Sequence, residues 1–153
     1  MISTTLVSIV VGVAIERRKA NSQWLDFLWR PAFVFAGEPS AKPWTVIGDN
    51  GKAKLFYAGE AVIELHRTET TGYCENLSSG SPALWVKVRP TGSDPPLELV
   101  AITADPAEGE AFTDSGDSLV EAVPMPIGIY NIISRFVAEH HVERAFVKRQ
   151  RIR

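Results

Sequence analysis

Residues 2–15 read ISTTLVSIVVGVAI, and the interpretation of the rest of the chain depends on this run. β-branched residues dominate it, and they favour extended structure because two heavy atoms on Cβ stiffen χ1. The run is too short to cross a bilayer, which takes about 20 apolar residues. No Lys or Arg precedes it and no Ala-x-Ala-like cleavage site follows it, so a signal peptide is not expected. The sequence therefore predicts a core strand, buried on both faces, over about residues 5–16.

Further strand-like stretches follow this first strand. The aromatic run WLDFLWRPAFVFAG (24–37) contains Pro31, which favours an edge strand or a bulge because proline cannot donate to a ladder. Asn50 and Gly51 predict a hairpin turn, since both accept a positive φ cheaply. Gly59 and Glu60 are interpreted as a second turn. The other strand candidates are WTVIG (44–48), AKLFYAG (53–59), AVIELHRT (61–68), the alternating ALWVKVR (83–89), SLVEAV (118–123) and LELVAIT (97–103), which is apolar enough for a central strand.

Two helices are predicted in the second half of the chain. DPAEGEAF (105–112) places Asp105 at the N-cap, Pro106 at the first helical position and Glu108 in the first turn. These residues suit the unpaired amides and the positive dipole of a helix start. The second helix covers about residues 126–141, and its apolar positions recur at helical spacing, which predicts one face docked on the sheet. Those positions are Ile129, Ile133, Phe136 and Val137.

These elements together indicate the fold class. Strands followed by a C-terminal helix predict an α+β fold, with an antiparallel β-sheet or a partly closed barrel and that helix packed on it. A length of 153 residues fits one domain spanning residues 1–153, and no repeat or linker divides it. The single Cys74 cannot form an internal disulfide, which favours a reducing, cytoplasmic compartment.

Charge is distributed unevenly along the chain. Residues 90–134 hold eight acidic and no basic side chains, whereas residues 135–153 hold six basic and two acidic ones. The basic tail (144–153) either lies across the acidic part of its own domain or forms a docking surface for a partner. Contact with nucleic-acid phosphates is a weaker interpretation, because no aromatic side chains are interleaved with the charges. The tail residues considered for partner binding are Arg144, Lys148, Arg149 and Arg151.

Glu64 and His66 form the pattern that best suits chemistry. Strand side chains repeat every two residues, so both lie on one face, where a carboxylate can orient an imidazole. Cys74 follows eight residues later. Glu64, His66 and Cys74 are therefore candidate catalytic residues, and His140 is the candidate fourth member of the set. An ion pair on a half-exposed sheet produces the same pattern.

The adjacent His140 and His141 do not predict a metal site. On a helix their side chains diverge by about 100°, whereas helical metal motifs use residues four apart. Both histidines are assigned to a polar helix end that contacts a partner, and neither a metal nor a cofactor is expected. The sequence also lacks nucleotide-binding glycine motifs, a serine-hydrolase elbow and paired cysteines. A non-catalytic protein is favoured for these reasons.

Trp24 and Trp29 are the aromatic candidates for recognition. In a regular strand they point to opposite faces, so at least one is expected outside the buried face of the sheet. An exposed aromatic side chain beside Arg30 is typical of a recognition surface. Burial under the C-terminal helix is the competing interpretation. Trp29 and Arg30 are accordingly candidate partner-binding residues.

Several longer motifs resemble a bacterial family. They are Trp24, Asp26, Trp29–Arg30–Pro31, ELHRTETTGYCENL (64–77), TADP (103–106), DSGD (114–117), VEAVPMP (120–126) and FVAEHHVERAFVKRQR (136–151). Over about residues 10–151 the chain is similar to the domain-of-unknown-function family 3305. Members of this family are often encoded near formate dehydrogenase and molybdenum-cofactor genes, which implies a cytoplasmic accessory role. Gly128 replaces the helix-favouring residue that is typical of the family, and it is expected to loosen the first turn of the last helix.

The sequence and the resemblance together favour a cytoplasmic binding or assembly module, accessory to formate dehydrogenase or to molybdoenzyme maturation. Its expected partner is a redox enzyme or a maturation factor, and no membrane association is expected. The first alternative is a metal-dependent or Cys/His enzyme that uses Glu64, His66, Cys74 and His140. The second alternative is weak nucleic-acid binding through the basic tail.

Overall fold

The computed structural model describes residues 5–21, 23–24, 26–37, 41–113 and 116–150, with side-chain surroundings described between residues 7 and 140 of these ranges. This part of the chain forms seven strands and three α-helices. They are β1 (Thr5–Lys19), β2 (Phe27–Ala36), β3 (Thr45–Asp49), β4 (Ala53–His66), α1 (Thr70–Leu77), β5 (Ala83–Pro90), β6 (Leu97–Thr103), α2 (Pro106–Phe112), β7 (Leu119–Pro124) and α3 (Ile127–Gln150). A single 3₁₀ turn, Arg67–Glu69, joins β4 to α1.

The strands form two antiparallel sheets, ordered β2-β1-β4-β3 and β6-β5-β7. The α+β class, the antiparallel pairing and the C-terminal helix are therefore confirmed, but the sheet is split in two. The sheets approach each other along two seams, where β4 lies beside β6 and β2 lies beside β7. Within the described residues no hydrogen-bonded ladder joins the sheets at either seam, so the strands do not close into a barrel.

The predicted first strand is confirmed as the centre of the core. β1 begins at residue 5 and runs to Lys19, three residues beyond the predicted end. It pairs with β2 on one side and with β4 on the other. Burial on both faces holds only for residues 11–15; before them Ser8 is exposed and Val10 is half-buried, so the first part of β1 has one solvent-facing side. Pro31 lies in β2, which is an edge strand with a bulge at that point, so both parts of this expectation hold.

Two local interpretations of the sequence are wrong. Gly59 and Glu60 do not form a turn, because β4 continues through them from Ala53 to His66. Gly59 has φ of 120° and stands beside a register shift, so it supports a bulge, which is a common role for an isolated glycine in a strand. The apolar β6 is an edge strand of the smaller sheet and not a central one. Leu97 and Ile102 are nevertheless buried, because the core lies against one face of β6.

The helices cover the core from the second half of the chain. Asp105 caps α2 as predicted, and its carboxylate accepts the Ala107 amide at 3.1 Å. α3 begins at Ile127 but continues to Gln150, past the predicted end near residue 141. Its buried face is the predicted one, with Ile129, Ile133 and Phe136 in the same core cluster as the strands. No helix in the described part of the chain is both long and apolar enough to span a membrane.

Sequence reasoning did not predict α1. Its first residues, Thr70, Thr71 and Gly72, are poor helix formers, so local propensity is weak. Tertiary contacts hold the helix instead. Tyr73 is buried against the Phe136 ring of α3, with ring centroids 6.1 Å apart. Asn76 is also buried, and its amide group bonds the backbone of Ala83 and Ala104.

Candidate functional site

A groove of about 370 Å³ follows the seam between β4 and β6 and is bordered by α2. We call it the seam groove. Carboxylates, one imidazole and apolar side chains share its walls. The lining includes Glu60, Val62, Glu64 and His66 from β4, Val100 from β6, and Glu108 and Phe112 from α2.

Local geometry explains why these side chains meet. Glu60, Val62 and Glu64 alternate with core residues along β4, so they stand on its solvent face. On β6, Leu99 pairs with Val88 of β5 and Ala101 pairs with Lys87 of β5. Val100, which lies between them, is therefore the extra residue of a bulge. α2 packs closely on the smaller sheet because Gly109 leaves no side chain between the helix and Trp85. The helix therefore carries Glu108 to the border of the groove.

The structure brings Glu64 and His66 together, as their spacing predicts. Glu64 Oε2 lies 3.8 Å from His66 Nε2, which is an ion-pair distance for a protonated imidazole but too long for a hydrogen bond. The backbone at this end of β4 is held by Tyr73, whose hydroxyl accepts the His66 amide at 2.9 Å. Burial raises the pKa of Tyr73 to about 12, so the hydroxyl stays neutral and has a structural role.

Cys74 does not line the groove. It lies on α1, is partly buried, and burial raises the pKa of its thiol. A raised pKa disfavours the thiolate, which is the reactive form of cysteine. His140 is also absent from the groove lining; its ring packs on Phe136 at 4.5 Å and its Nε2 lies 3.8 Å from Glu139 Oε2. Among the described residues no group of three or more His, Cys, Asp or Glu side chains is placed to hold a metal ion.

A contact between a buried carboxyl and a second, half-buried one went unrecognised in the sequence. Asp105, the α2 cap, is only 5% exposed and shares a hydrogen bond with the Glu69 side chain. Burial and the nearby Glu69 raise the pKa of Asp105 to about 6. Gly72 makes room for this carboxyl, because a Cβ there would lie 2.3 Å from its Oδ1. The N-cap pattern predicted the position of Asp105 but contained no signal for the contact with Glu69, which comes from a different element.

The predicted partner-binding residues of β2 have different surroundings. Trp29 is half-buried in an aromatic cluster, with ring centroids 6.3 Å from Trp44 and 5.6 Å from Phe56. The Arg17 guanidinium lies over the same cluster, 5.6 Å from the Trp29 ring. Arg30 is exposed, and its Nε lies 3.3 Å from Glu16 Oε1. Trp29 is therefore mainly a packing residue, whereas Arg30 is available at the surface.

Arg30 belongs to a surface that we call the β2 patch, formed by Leu28, Arg30, Phe33 and Phe35. Their partners on β1 are Arg18, Glu16, Ala14 and Gly12, which alternate along the strand, so the four side chains share one face. Leu28 is 52% exposed, Phe33 49% and Phe35 38%. Ala32 is the extra residue of the bulge, and it turns Phe33 and Phe35 to the face of Arg30. Sequence alternation alone would have placed them with Trp29.

The remaining predicted contact residues belong to the end of α3. The backbone is helical through residue 150, so the first part of the basic tail continues the helix. The side chains of His141, Arg144, Lys148 and Arg149 lie outside the described residues, as does Arg151. Their proposed role in partner binding therefore stays a prediction.

The fold and its two surfaces define an α+β protein with a split antiparallel sheet, an acidic groove at one seam and an apolar patch on an edge strand. The chain matches the family described as Protein of unknown function (DUF3305) over residues 10–150. The chain belongs to this family, and the resemblance seen in its motifs is confirmed. No curated protein and no solved structure matches the chain.

Proposed function

We propose that the chain is a non-catalytic module that binds a partner protein through the β2 patch. The observation that supports this proposal most strongly is the exposure of Leu28, Phe33 and Phe35 together on one face of an edge strand. Edge strands with exposed apolar side chains tend to associate, and natural proteins avoid them unless the surface is used. A partner that covers these side chains explains their exposure in the isolated chain.

The local structure of the patch supports recognition. The bulge at Ala32 turns two phenylalanine rings outward and leaves Phe33 49% and Phe35 38% exposed, although burial of aromatic surface is strongly favourable. Arg30 lies on the same face between Leu28 and Phe33 and is positioned by Glu16. An arginine among aromatic side chains is the usual composition of a binding hot spot.

The identity of the partner is proposed from the family resemblance. Its implied gene neighbourhood favours a cytoplasmic role accessory to formate dehydrogenase or to molybdoenzyme maturation. The partner is then a redox enzyme or a maturation factor. The basic tail, with Arg144, Lys148 and Arg149, supplies a second contact that attracts an acidic surface and orients the complex.

A capture experiment in the native host tests this proposal. The tagged wild-type chain is expected to recover formate dehydrogenase or a cofactor-insertion protein after mild cross-linking. The double substitution Phe33→Ser and Phe35→Ser is expected to abolish recovery, because it removes the apolar contact. The control is Ile47→Ser on β3, a residue that is 43% exposed and outside the patch, and it is expected to leave recovery unchanged. Equal recovery with all three proteins would refute the proposal.

An enzyme is the second candidate function, and the Glu64–His66 pair in the seam groove favours it. A carboxylate beside an imidazole in a concave site is half of a general acid–base or metal site. Cys74 and His140 would have to approach the groove to complete the predicted set. Metal analysis of protein purified without a histidine tag tests this candidate. About one metal ion per chain in the wild type, and none in His66→Gln, would support an enzyme. A wild-type chain that contains no metal would favour the binding module over the enzyme.

A further inference from the structure

One end of the larger sheet carries an arginine that is stacked on aromatic rings. The half-buried Arg17 guanidinium lies 4.3 Å from the Phe27 ring centroid, 5.3 Å from Phe56 and 5.6 Å from Trp29. Stacking uses the flat face of a guanidinium, whereas its N–H donors point outward in the plane of the group. Among the described residues these donors have no carboxylate and no hydrogen-bond acceptor. The Arg17 donors are therefore oriented by the rings and available to a ligand.

A second cation stands directly opposite this arginine. Lys54 on β4 is the cross-strand partner of Arg17 on β1, so the two side chains share one face of the sheet. Like charges in this position are destabilising. Asp49 is the partner of Lys54 on β3, but within the described part of the chain the two form no ion pair, and Asp49 Oδ1 accepts the Gly51 amide at 2.9 Å. The exposed Lys19 lies on the same face as Arg17, so positive charge accumulates there.

Trp44 completes the aromatic cluster from a strained backbone. Its φ is 70°, in the left-handed region that a bulky side chain rarely adopts. The Trp44 amide donates to the Tyr57 carbonyl, and its ring packs against Trp29 and Phe56. Strained residues are concentrated at binding and active sites. The opposed cations and the strained tryptophan both cost stability in the isolated chain, and they lie where the Arg17 donors are available. A bound anion explains why these features occur together.

We propose that this end of the sheet, the Arg17 site, binds a nucleoside monophosphate. A guanidinium binds phosphate oxygens through two parallel hydrogen bonds. A phosphate monoester carries between about 1.5 and 2 negative charges near pH 7, so it suits the two cations Arg17 and Lys54 better than a single carboxylate does. Phe27 is 42% exposed beside the guanidinium, so a base attached to the phosphate has an aromatic ring to stack on.

The Arg17 site goes beyond the proposed function, because it is separate from the β2 patch. Trp29 is the cross-strand partner of Arg17, whereas Leu28 and Arg30 on either side of it point to the other face of β2. A ligand at the Arg17 site and a protein at the β2 patch therefore occupy opposite faces of the sheet. Each surface is tested by its own measurement.

Titration of the full chain with adenosine 5′-monophosphate (AMP) tests the proposal. The fluorescence of Trp29 and Trp44 reports binding, since both rings belong to the cluster, and calorimetry measures the Kd. We expect AMP to bind. Adenosine, which lacks the phosphate, and inorganic phosphate, which lacks the ring, are each expected to bind about tenfold more weakly or worse. High salt is expected to weaken AMP binding because part of the attraction is between exposed charges.

Substitutions on β1 and β4 provide matched variants for the same titration. Arg17→Gln and Lys54→Gln are each expected to weaken AMP binding about tenfold or more. Arg17→Lys keeps the charge but loses the planar fork, and it is expected to bind more weakly than the wild type. The control is Arg18→Gln, which removes the same charge one residue away on the opposite face of β1, and it is expected to bind like the wild type. A urea melt of each variant shows whether it is folded, and Lys54→Gln leaves every ring contact in place.

Several outcomes would overturn the proposal. Absence of AMP binding to the wild type, or equal effects of Arg17→Gln and Arg18→Gln, would reject the Arg17 site. Adenosine or inorganic phosphate that binds as tightly as AMP would reject joint recognition of phosphate and ring. Binding of a thymidylate oligonucleotide without binding of AMP would identify single-stranded nucleic acid as the ligand instead.

Discussion

Gly109 and Gly128 are both helical, yet their surroundings predict opposite responses to the same substitution. A Cβ on Gly109 would lie 2.4 Å from Trp85 Cγ, near the rigid base of that side chain, so Gly109→Ala forces α2 away from the sheet. We expect a loss of about 1–3 kcal/mol in unfolding free energy. At Gly128 the nearest atom is Ala36 Cβ at 3.8 Å, which is ordinary contact. Gly128→Ala is expected to stabilise the chain by about 0.5–1 kcal/mol.

Urea melts of the two variants measure both effects. A Gly109→Ala variant at least as stable as the wild type would contradict the packing of α2 on Trp85. The Gly128 result also tests the expectation that this residue loosens the start of α3.

Asp105 predicts a pH dependence of stability. An aspartate in an unfolded chain has a pKa near 3.9, and in the folded chain burial and Glu69 raise it to about 6. The folded state therefore binds the proton more tightly, and this contribution to stability is present below about pH 4 and is lost as the pH rises through about 6. Asp105→Asn keeps a capping oxygen but never ionises. We expect it to match the wild type at pH 4 and to exceed it by about 1–2 kcal/mol at pH 7.5.

Chemical denaturation at the two pH values measures this difference. A stability difference between Asp105→Asn and wild type that is the same at pH 4 and pH 7.5 would show that the Asp105 proton is not linked to folding.

At the scale of elements, α3 packs on the core through three buried side chains, Ile129, Ile133 and Phe136. Phe136 is buried between Tyr73 and His140, so Phe136→Ala removes a large side chain from the contact between α3 and α1. A loss of about 3–5 kcal/mol is expected. Ile132 on the same helix is 42% exposed, and Ile132→Ala is expected to change stability by less than about 1 kcal/mol. Denaturant melts that show similar losses for both would contradict the docked face.

The elements that sequence reasoning predicted are those whose signals are local. Alternation in β5, the apolar run of β1 and the cap of α2 all depend on neighbouring residues, so they were visible without the fold. Glu64 and His66 were placed on one face for the same reason. The sequence did not predict that β4 continues through a bulge at Gly59, or that the bulge at Ala32 moves Phe33 and Phe35 to the other face of β2. A bulge is defined by the register with the partner strand, which the sequence of one strand does not contain. α1 was missed because distant contacts of Tyr73 and Asn76 stabilise it.

At the scale of the whole molecule, splitting the sheet creates both proposed surfaces. If β4 and β6 were paired in one ladder, the seam groove would be filled by hydrogen bonds between them. At the other seam, β2 lies beside β7 without a ladder and remains an edge strand. The sequence predicts strand types but not which strands share a sheet, since that choice depends on pairing between distant residues. The seam groove could not be predicted for this reason. In the β2 patch Arg30 was predicted, but Phe33 and Phe35 were not, because the bulge at Ala32 moves them to its face.

Charge asymmetry leads to a prediction for the basic tail. Residues 90–134 are acidic and residues 135–153 are basic, so the tail either binds its own domain or attracts a partner. If it serves a partner, replacing Lys148, Arg149 and Arg151 with Ser should change stability by less than about 0.5 kcal/mol per site, because solvated charges contribute little to folding. The same triple variant should weaken partner capture, most at low salt. Denaturant melts and capture at two salt concentrations measure both effects. A tail variant as unstable as Phe136→Ala would place the tail in the fold and contradict its role as a contact surface.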